Sequence, residues 1–97
     1  MKKSDLVVML AQANELPQKT VAALLDKMLE IMQERLAADE DVAFPGFGVL
    51  YVVERPARRG RHPGTGEPID IPARKTVRFM PGQRLKKRIA NEQSHIE

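Results

Sequence analysis

The residues with the most evident chemistry are the basic side chains between Arg55 and Lys75. Four of the first seven residues of this stretch are arginine. Burying unpaired guanidinium groups costs too much for such a segment to lie in a core. An exposed row of cationic side chains favours a polyanion with a groove as the partner. The candidate residues are Arg55, Arg58, Arg59, Arg61, Arg74 and Lys75.

The same stretch has the pattern of a two-stranded ribbon. Apolar, strand-like runs lie on both sides of it, at 49–53 and 76–79. Its centre, residues 62–66, carries the proline and glycine signals of a tight reversal. We therefore expect an arm over about 55–75 that leaves the body, turns at Pro63-Gly64 and returns. A disordered basic loop is the alternative.

The length and the charge distribution set the remaining bounds. Ninety-seven residues correspond to one small domain, here taken as 1–97. Residues 1–54 contain five Lys/Arg and nine Asp/Glu, whereas residues 55–97 contain eleven and four. This asymmetry indicates a nucleic-acid footprint on the C-terminal half.

Several function classes find no support in the sequence. The chain has no cysteine, so it has neither a disulfide framework nor a thiolate metal site. Its histidines, His62 and His95, fall at a loop tip and near the end, and no paired carboxylates, phosphate loop or metal-ligand spacing is present. No apolar run approaches the roughly 20 residues that span a bilayer. We therefore expect neither an enzyme nor a cofactor, metal, membrane or small-molecule partner.

The body is predicted to contain three helices and three strands in the order α-α-β-β-arm-β-α. Ser4 is a good N-cap for a first helix over about 4–14, and Pro17 suits the first turn of a second helix that ends near Ala38. Strands are expected at 42–44, 49–53 and 76–79, and a last helix over about 83–91, followed by a frayed tail at 92–97.

Two apolar stripes at helical spacing suggest more than one subunit. The first helix presents Leu6, Met9, Leu10 and Ala13. The stripe on the second helix is wider than one partner helix requires; it comprises Val21, Leu24, Leu25, Met28, Leu29, Ile31, Met32 and Leu36. A dimer is therefore favoured over a helix-rich monomer with an aliphatic core.

This order, with these residues in it, resembles the HU/IHF family of bacterial DNA-bending proteins. The most specific matching pieces are Gly46-Phe47-Gly48, Gly60 to Gly66 with its Arg-His-Pro centre, and Phe79 followed by Pro81-Gly82 and Leu85-Lys86. The match covers nearly the whole chain. The C-terminal part looks closer to the alpha-type subunit of integration host factor.

The resemblance implies an α+β fold assembled as an intertwined dimer, with a helical base, a three-stranded antiparallel sheet forming a saddle, and extended β-ribbon arms. Members of the family bind the minor groove of DNA and insert a proline from each arm tip between base pairs. Carried onto this chain, the intercalating residue is Pro63, and the arm cations with His62 would lie along the groove.

The resemblance also places DNA on the flanks of the body and packs aromatic side chains between the subunits. The flank contacts would come from Lys3, Ser4, Gly46, Gln83 and Lys86, while Phe47 and Phe79 would fill the dimer core.

Five departures from the family pattern stand out. His62 occupies a position that is usually asparagine, and Met80 one that is commonly basic; Leu50 replaces a usual phenylalanine, while Pro45 and Arg78 are unexpected. His62 would contact the groove at the arm tip; the alternative, favoured for this position, is a plain polar turn residue.

The resulting expectation is an architectural protein of the bacterial nucleoid, in the cytoplasm, that bends double-stranded DNA with weak or shape-based sequence preference. The partner subunit is either a second copy or a paralogue. The alternative is an RNA-binding or protein-interaction module on the same scaffold, although the shallow minor groove of RNA does not suit a proline wedge.

Overall fold

The computed structural model of the chain describes the backbone of residues 1–96 and the side chains of residues 1–91. The chain divides into two compact units, Met1–Arg35 and the part that begins at Leu36. The first unit is helical, and the second contains the sheet, the arm and the last helix. None of the described helices is long and apolar enough to cross a membrane.

The helical unit consists of α1 (Lys3–Asn14) and most of α2 (Gln18–Ala37). Its core is formed by Val7 and Ala11 of α1 together with Val21 and Leu25 of α2. These four are the buried hydrophobic side chains of the described part of the chain, and none of them is completely buried. The core of one chain is therefore small.

The first helix begins at Lys3, two residues earlier than an N-cap at Ser4 requires. The cap is Lys2, whose backbone N–H donates to Asp5 Oδ2 at 2.8 Å. Because this carboxylate satisfies a free amide of the first turn, the helix needs no hydroxyl cap, and Ser4 lies inside it. Asp5 stands near the positive end of the helix dipole, as expected.

The predicted apolar stripe of α1 is displaced from the observed core. Val7 and Ala11 are buried, Leu6 and Leu10 pack against them in part, and Met9 is 57% exposed. The core is centred beside the predicted stripe because the small side chain of Ala11 is at the contact with α2. On α2 the predicted Val21 and Leu25 are buried, but Leu24 is 61% exposed and the apolar side chains of Met28, Leu29 and Ile31 are also exposed.

The sheet of the second unit has the strand order β1-β2-β5 and is antiparallel throughout. Its strands are β1 (Val42–Phe44), β2 (Gly48–Arg55) and β5 (Arg74–Pro81). The predicted hairpin of the first two strands is confirmed, with Val42 paired to Leu50.

The arm consists of β3 (Arg58–Arg61) and β4 (Pro68–Ile71), which pair only with each other. After β5 the chain enters α3 (Gln83–Ile96), which runs beyond the predicted end near residue 91. The tail predicted at 92–97 coincides with the last turns of this helix up to Ile96, and Glu97 lies outside the described residues. The α+β order α-α-β-β-arm-β-α is confirmed.

Candidate nucleic-acid interface

The arm continues the register of the body sheet but not its hydrogen bonds. Arg55 pairs with Arg74 at the end of the sheet, and Arg58 pairs with Ile71 at the start of the arm. Two residues on each strand, 56–57 and 72–73, separate these pairs, so the ribbon has no bulge. The ladder is interrupted where Pro56 and Pro72 fall, because proline has no backbone N–H to donate.

The reversal at the arm tip lies where the sequence predicted it. The His62 N–H donates to the Glu67 carbonyl at 2.8 Å, and the Gly66 N–H donates back to the His62 carbonyl at 2.8 Å. Gly66 has φ +74, a left-handed value that glycine adopts without steric cost. Pro63 therefore stands at the outer end of a closed turn, with its ring exposed.

Three side chains of the tip also hydrogen-bond to the turn itself. His62 Nδ1 accepts from the Gly64 N–H at 3.1 Å, and Thr65 Oγ1 accepts from the Glu67 N–H at 3.4 Å. Arg61 Nη1 donates to the Gly66 carbonyl at 3.2 Å. These contacts define the conformation of a short segment that carries almost no apolar packing.

The two faces of the arm differ in composition, because directly paired residues of an antiparallel ribbon project to the same side. One face combines Arg59 and Arg61 with Asp70 and Pro68, and the other combines Arg58 and Gly60 with Ile71 and Ile69. The Ile71 side chain lies over Gly60, since a Cβ built on Gly60 would be 2.6 Å from Ile71 Cδ1. The second face is thus a small apolar strip bordered by arginine.

The arm cations are exposed, and their intramolecular contacts are weak. Arg59 Nε lies 3.4 Å from Asp70 Oδ1, with the two side chains 77% and 87% exposed. An ion pair this exposed contributes about 0–1 kcal/mol. An incoming phosphate can therefore replace Asp70 at little cost. Arg55, Arg58 and Arg74 are also exposed.

Lys75, at the base of the arm, differs from the arm arginines because its ammonium group is hydrogen-bonded to a carboxylate of the body. Its Nζ lies 3.0 Å from Asp39 Oδ2, and this hydrogen bond and the charge of Asp39 raise the lysine pKa above its ordinary 10.5. A raised pKa means that this contact stabilises the fold at pH values below 10.5 and is lost as the pH rises through the folded-state pKa. Lys75 must leave Asp39 before it can bind another anion.

The turn that contains Gly46 is joined to the start of α3. The Phe47 N–H donates to the Phe44 carbonyl at 2.9 Å, and Gly46 has φ +86. The Gly82 N–H donates to the Phe47 carbonyl at 2.8 Å. The predicted flank residues Gly46, Gln83 and Lys86 are therefore held on adjoining segments, and Gln83 and Lys86 are exposed.

Arg84 belongs with this flank, although the sequence pattern predicted only that it faces solvent. A Cβ built on Gly46 would be 3.1 Å from Arg84 Cδ, so the arginine stem lies over the turn. Its position in the first turn of α3 was visible in the sequence, but its contact with Gly46 accompanies the hydrogen bond from the Gly82 N–H to the Phe47 carbonyl. Nothing in the local pattern indicates that bond.

The remaining flank candidates, Lys3 and Ser4, lie on the first turn of α1 in the helical unit. Lys3 Nζ forms an ion pair with Asp26 Oδ1 of α2. Lys3 and Lys75 are the two lysines outside α3 that are predicted to contact DNA, and each forms an ion pair with an aspartate.

Phe47 and Phe79 form an aromatic pair at the sheet. Their ring centroids are 5.5 Å apart with an interplanar angle of 45°, yet the residues are 55% and 43% exposed. Gly48 makes this pairing possible, because a Cβ there would lie 2.5 Å from Phe79 Cε1 and 2.6 Å from the Met80 carbonyl oxygen. Two tilted aromatic rings in contact on the surface of a small chain indicate a surface that a partner covers.

A helical pair, a three-stranded sheet and a basic ribbon in this order define the class of protein. The family model described as "Bacterial DNA-binding protein" matches residues 1–90. The chain belongs to this family, the HU/IHF family of bacterial DNA-binding proteins.

Individual relatives are similar over most of the chain. DNA-binding protein HU of Streptococcus thermophilus is 46% identical over 84 residues, which cover 87% of this chain and 92% of the relative. The SPbeta prophage-derived DNA-binding protein HU 2 of Bacillus subtilis is 42% identical over 86 residues, covering 89% and 94%. Among solved structures, the Anabaena HU–DNA cocrystal structure superposes with a TM-score of 0.79 at 33% identity and covers 93% of this chain and 98% of that one.

Proposed function

We propose that this protein is an architectural DNA-binding protein that bends duplex DNA through the minor groove. The observation that carries the proposal is the closed, arginine-bearing ribbon with Pro63 at its outer end. The names of the relatives, DNA-binding protein HU, support binding to DNA. Contacts of this kind need no base code, because a narrow minor groove has an enhanced negative potential that attracts guanidinium groups.

Pro63 is the wedge in this proposal. Its ring is apolar, its φ is fixed by the ring, and it has no side-chain rotamer freedom to lose on insertion. Architectural proteins of the minor groove insert such apolar side chains between base steps and thereby kink the duplex. The two hydrogen bonds between His62 and the Gly66–Glu67 side of the turn hold this ring at the end of the arm.

The arm arginines bind the groove and its phosphates, and the flank residues bind the DNA that the bend brings back to the body. The arm contacts come from Arg55, Arg58, Arg59, Arg61, His62, Arg74 and Lys75. The flank contacts come from Lys3, Ser4, Gly46, Gln83 and Lys86, with Arg84 as an addition from the structure. We place this activity in the nucleoid and assign the chain no catalytic step.

The active form is a dimer in this proposal. The helical unit leaves an open apolar groove lined by Leu10, Leu16, Leu24 and Met28, and the sheet leaves the Phe47–Phe79 pair half exposed. A second subunit that covers both surfaces would supply the core that one chain lacks. Sedimentation equilibrium of the purified chain should give twice the mass of one 10.9 kDa chain. A monomer at micromolar concentration would contradict this part of the proposal.

Bending itself is tested on duplexes that carry a donor and an acceptor fluorophore at their ends. Binding of the wild-type protein should shorten the end-to-end distance of a duplex of about 35 base pairs. An apolar side chain inserted between base steps kinks the duplex by roughly 20–90°. Duplex RNA of the same sequence is the control and should compete poorly at matched salt. Saturating protein that leaves the DNA straight would reject the proposal.

A further inference from the structure

The imidazole of His62 is folded back on its own turn. Nδ1 accepts a hydrogen bond from the backbone N–H of Gly64 at 3.1 Å. The ring also lies against Gly64, since a Cβ built there would be 3.4 Å from His62 Cε1 and 3.5 Å from Nδ1. The side chain therefore has a defined direction at the tip of the arm, beside Pro63.

This hydrogen bond also determines which ring nitrogen carries the proton. A nitrogen that accepts a hydrogen bond has no hydrogen of its own, so the neutral ring must carry its proton on Nε2. The residue is exposed, and its side-chain hydrogen bond within the described turn uses Nδ1 and not Nε2. His62 thus presents one N–H donor to a duplex into which Pro63 inserts.

One fixed donor can distinguish base pairs in the minor groove. A·T and T·A pairs present only acceptors there, adenine N3 and thymine O2, whereas a G·C pair adds the donor N2 amino group of guanine. A donor from the protein hydrogen-bonds to the acceptors and is opposed by the guanine amino group.

We propose that His62 is a specificity-determining residue of the arm tip: held in its Nε2–H form by Gly64, it donates to a minor-groove acceptor beside the base step that Pro63 opens, and so disfavours guanine there. This inference rests on the proposed function. It adds a chemical preference at one position to a binding mode that otherwise depends on charge and deformability.

The neighbouring polar groups of the tip do not supply the same discrimination. Arg61 has five N–H donors on a long side chain, one of them directed to the Gly66 carbonyl, and it can reach phosphates as well as bases. Thr65 Oγ1 accepts from the Glu67 N–H, but its hydroxyl hydrogen rotates and the oxygen can also accept, so it presents no fixed donor. His62 is the tip residue whose single donor is oriented by the turn itself.

The test compares three duplexes that differ only in the pairs flanking a central nick, which fixes the site of the kink. The flanking pairs are A·T, G·C or inosine·C; inosine is guanine without the 2-amino group. At pH 8 the wild-type protein should bind the G·C duplex about two- to tenfold more weakly than the other two, the range of a single hydrogen bond. Equal affinity for the G·C and inosine·C duplexes would overturn the proposal.

Two variants separate recognition from turn structure. His62→Asn provides an oxygen to accept the Gly64 N–H and an outward amide donor, so it should retain the discrimination against guanine. His62→Ala has no donor and should bind the three duplexes alike. Discrimination that survives in His62→Ala would show that another group reads the amino group.

Failure of this inference and failure of the proposed function give different results. A wild-type protein that binds and bends all three duplexes equally refutes only the role of His62. A protein that binds none of them refutes the proposed function.

Discussion

Replacing Pro63 with alanine should reduce the bend angle by about half or more while the dissociation constant rises by less than about fivefold. The arginines that supply most of the binding energy are unchanged, and the turn is closed by backbone hydrogen bonds that do not involve residue 63. Alanine is too small to fill an opened base step, so the duplex regains stacking. Bend angle and affinity can be measured on one labelled duplex by energy transfer.

The matched control is Pro68→Ala. Pro68 is also an exposed proline of the arm, but it begins β4 and pairs with Arg61 away from the outer end. This variant should bend DNA like the wild type. If both variants lose bend and affinity in equal proportion, proline substitution harms the arm generally and the wedge assignment is wrong.

Replacing Arg58 and Arg61 together with alanine should weaken binding to every duplex by about a hundred- to a thousandfold. A dimer loses four cations, and hydrogen bonds to charged groups contribute about 1.5–3 kcal/mol each, part of which water and the remaining arginines recover. The two residues project from opposite faces of β3, so the loss affects both sides of the arm. Titrations with A·T-rich and G·C-rich duplexes should show equal losses.

The salt dependence of the same variant gives an independent check. Each phosphate contact contributes a slope of about −0.9 to log K against log salt, so losing up to four contacts should flatten the slope by up to about 3.6. Lys19→Ala combined with Lys27→Ala, two lysines of α2 outside the proposed interface, removes the same charge and should leave the slope unchanged. A flattening of equal size in this control would indicate a general charge effect rather than contacts by the arm.

The arm could be predicted from sequence because its evidence is local. Proline and glycine at 63–66 determine a reversal, and arginine on the outgoing strand excludes burial. Once the turn is placed, the strand register is determined both for the arm and for the part of the sheet beyond Pro56 and Pro72. The strands of the body were equally accessible, since short runs of β-branched residues between glycines have few other conformations.

The features that could not be predicted depend on contacts between segments or on the particular hydrogen bond that forms at the start of a helix. The start of α1 was misplaced because Asp5 accepts from the Lys2 N–H, a contact that places the start of the helix ahead of Ser4 and that the Ser-Asp cap signal does not reveal. The buried face of α1 was misplaced because an alanine, which is a weak signal in a hydrophobic pattern, lies at the helix contact. The position of Arg84 over Gly46 requires the hydrogen bond from Gly82 to Phe47, which joins residues far apart in sequence.

The prolines at the base of the arm have a mechanical consequence. Over residues 56–57 and 72–73 no ladder hydrogen bond ties one strand to the other, while the pairs on both sides retain a common register. The outer segment can therefore open, twist or exchange its amide hydrogens as a cooperative unit of its own, without loosening the body sheet. In the proposed complex, a torque applied at the tip by a stiff duplex would twist this joint before it disturbs the hydrogen bonds of the body sheet.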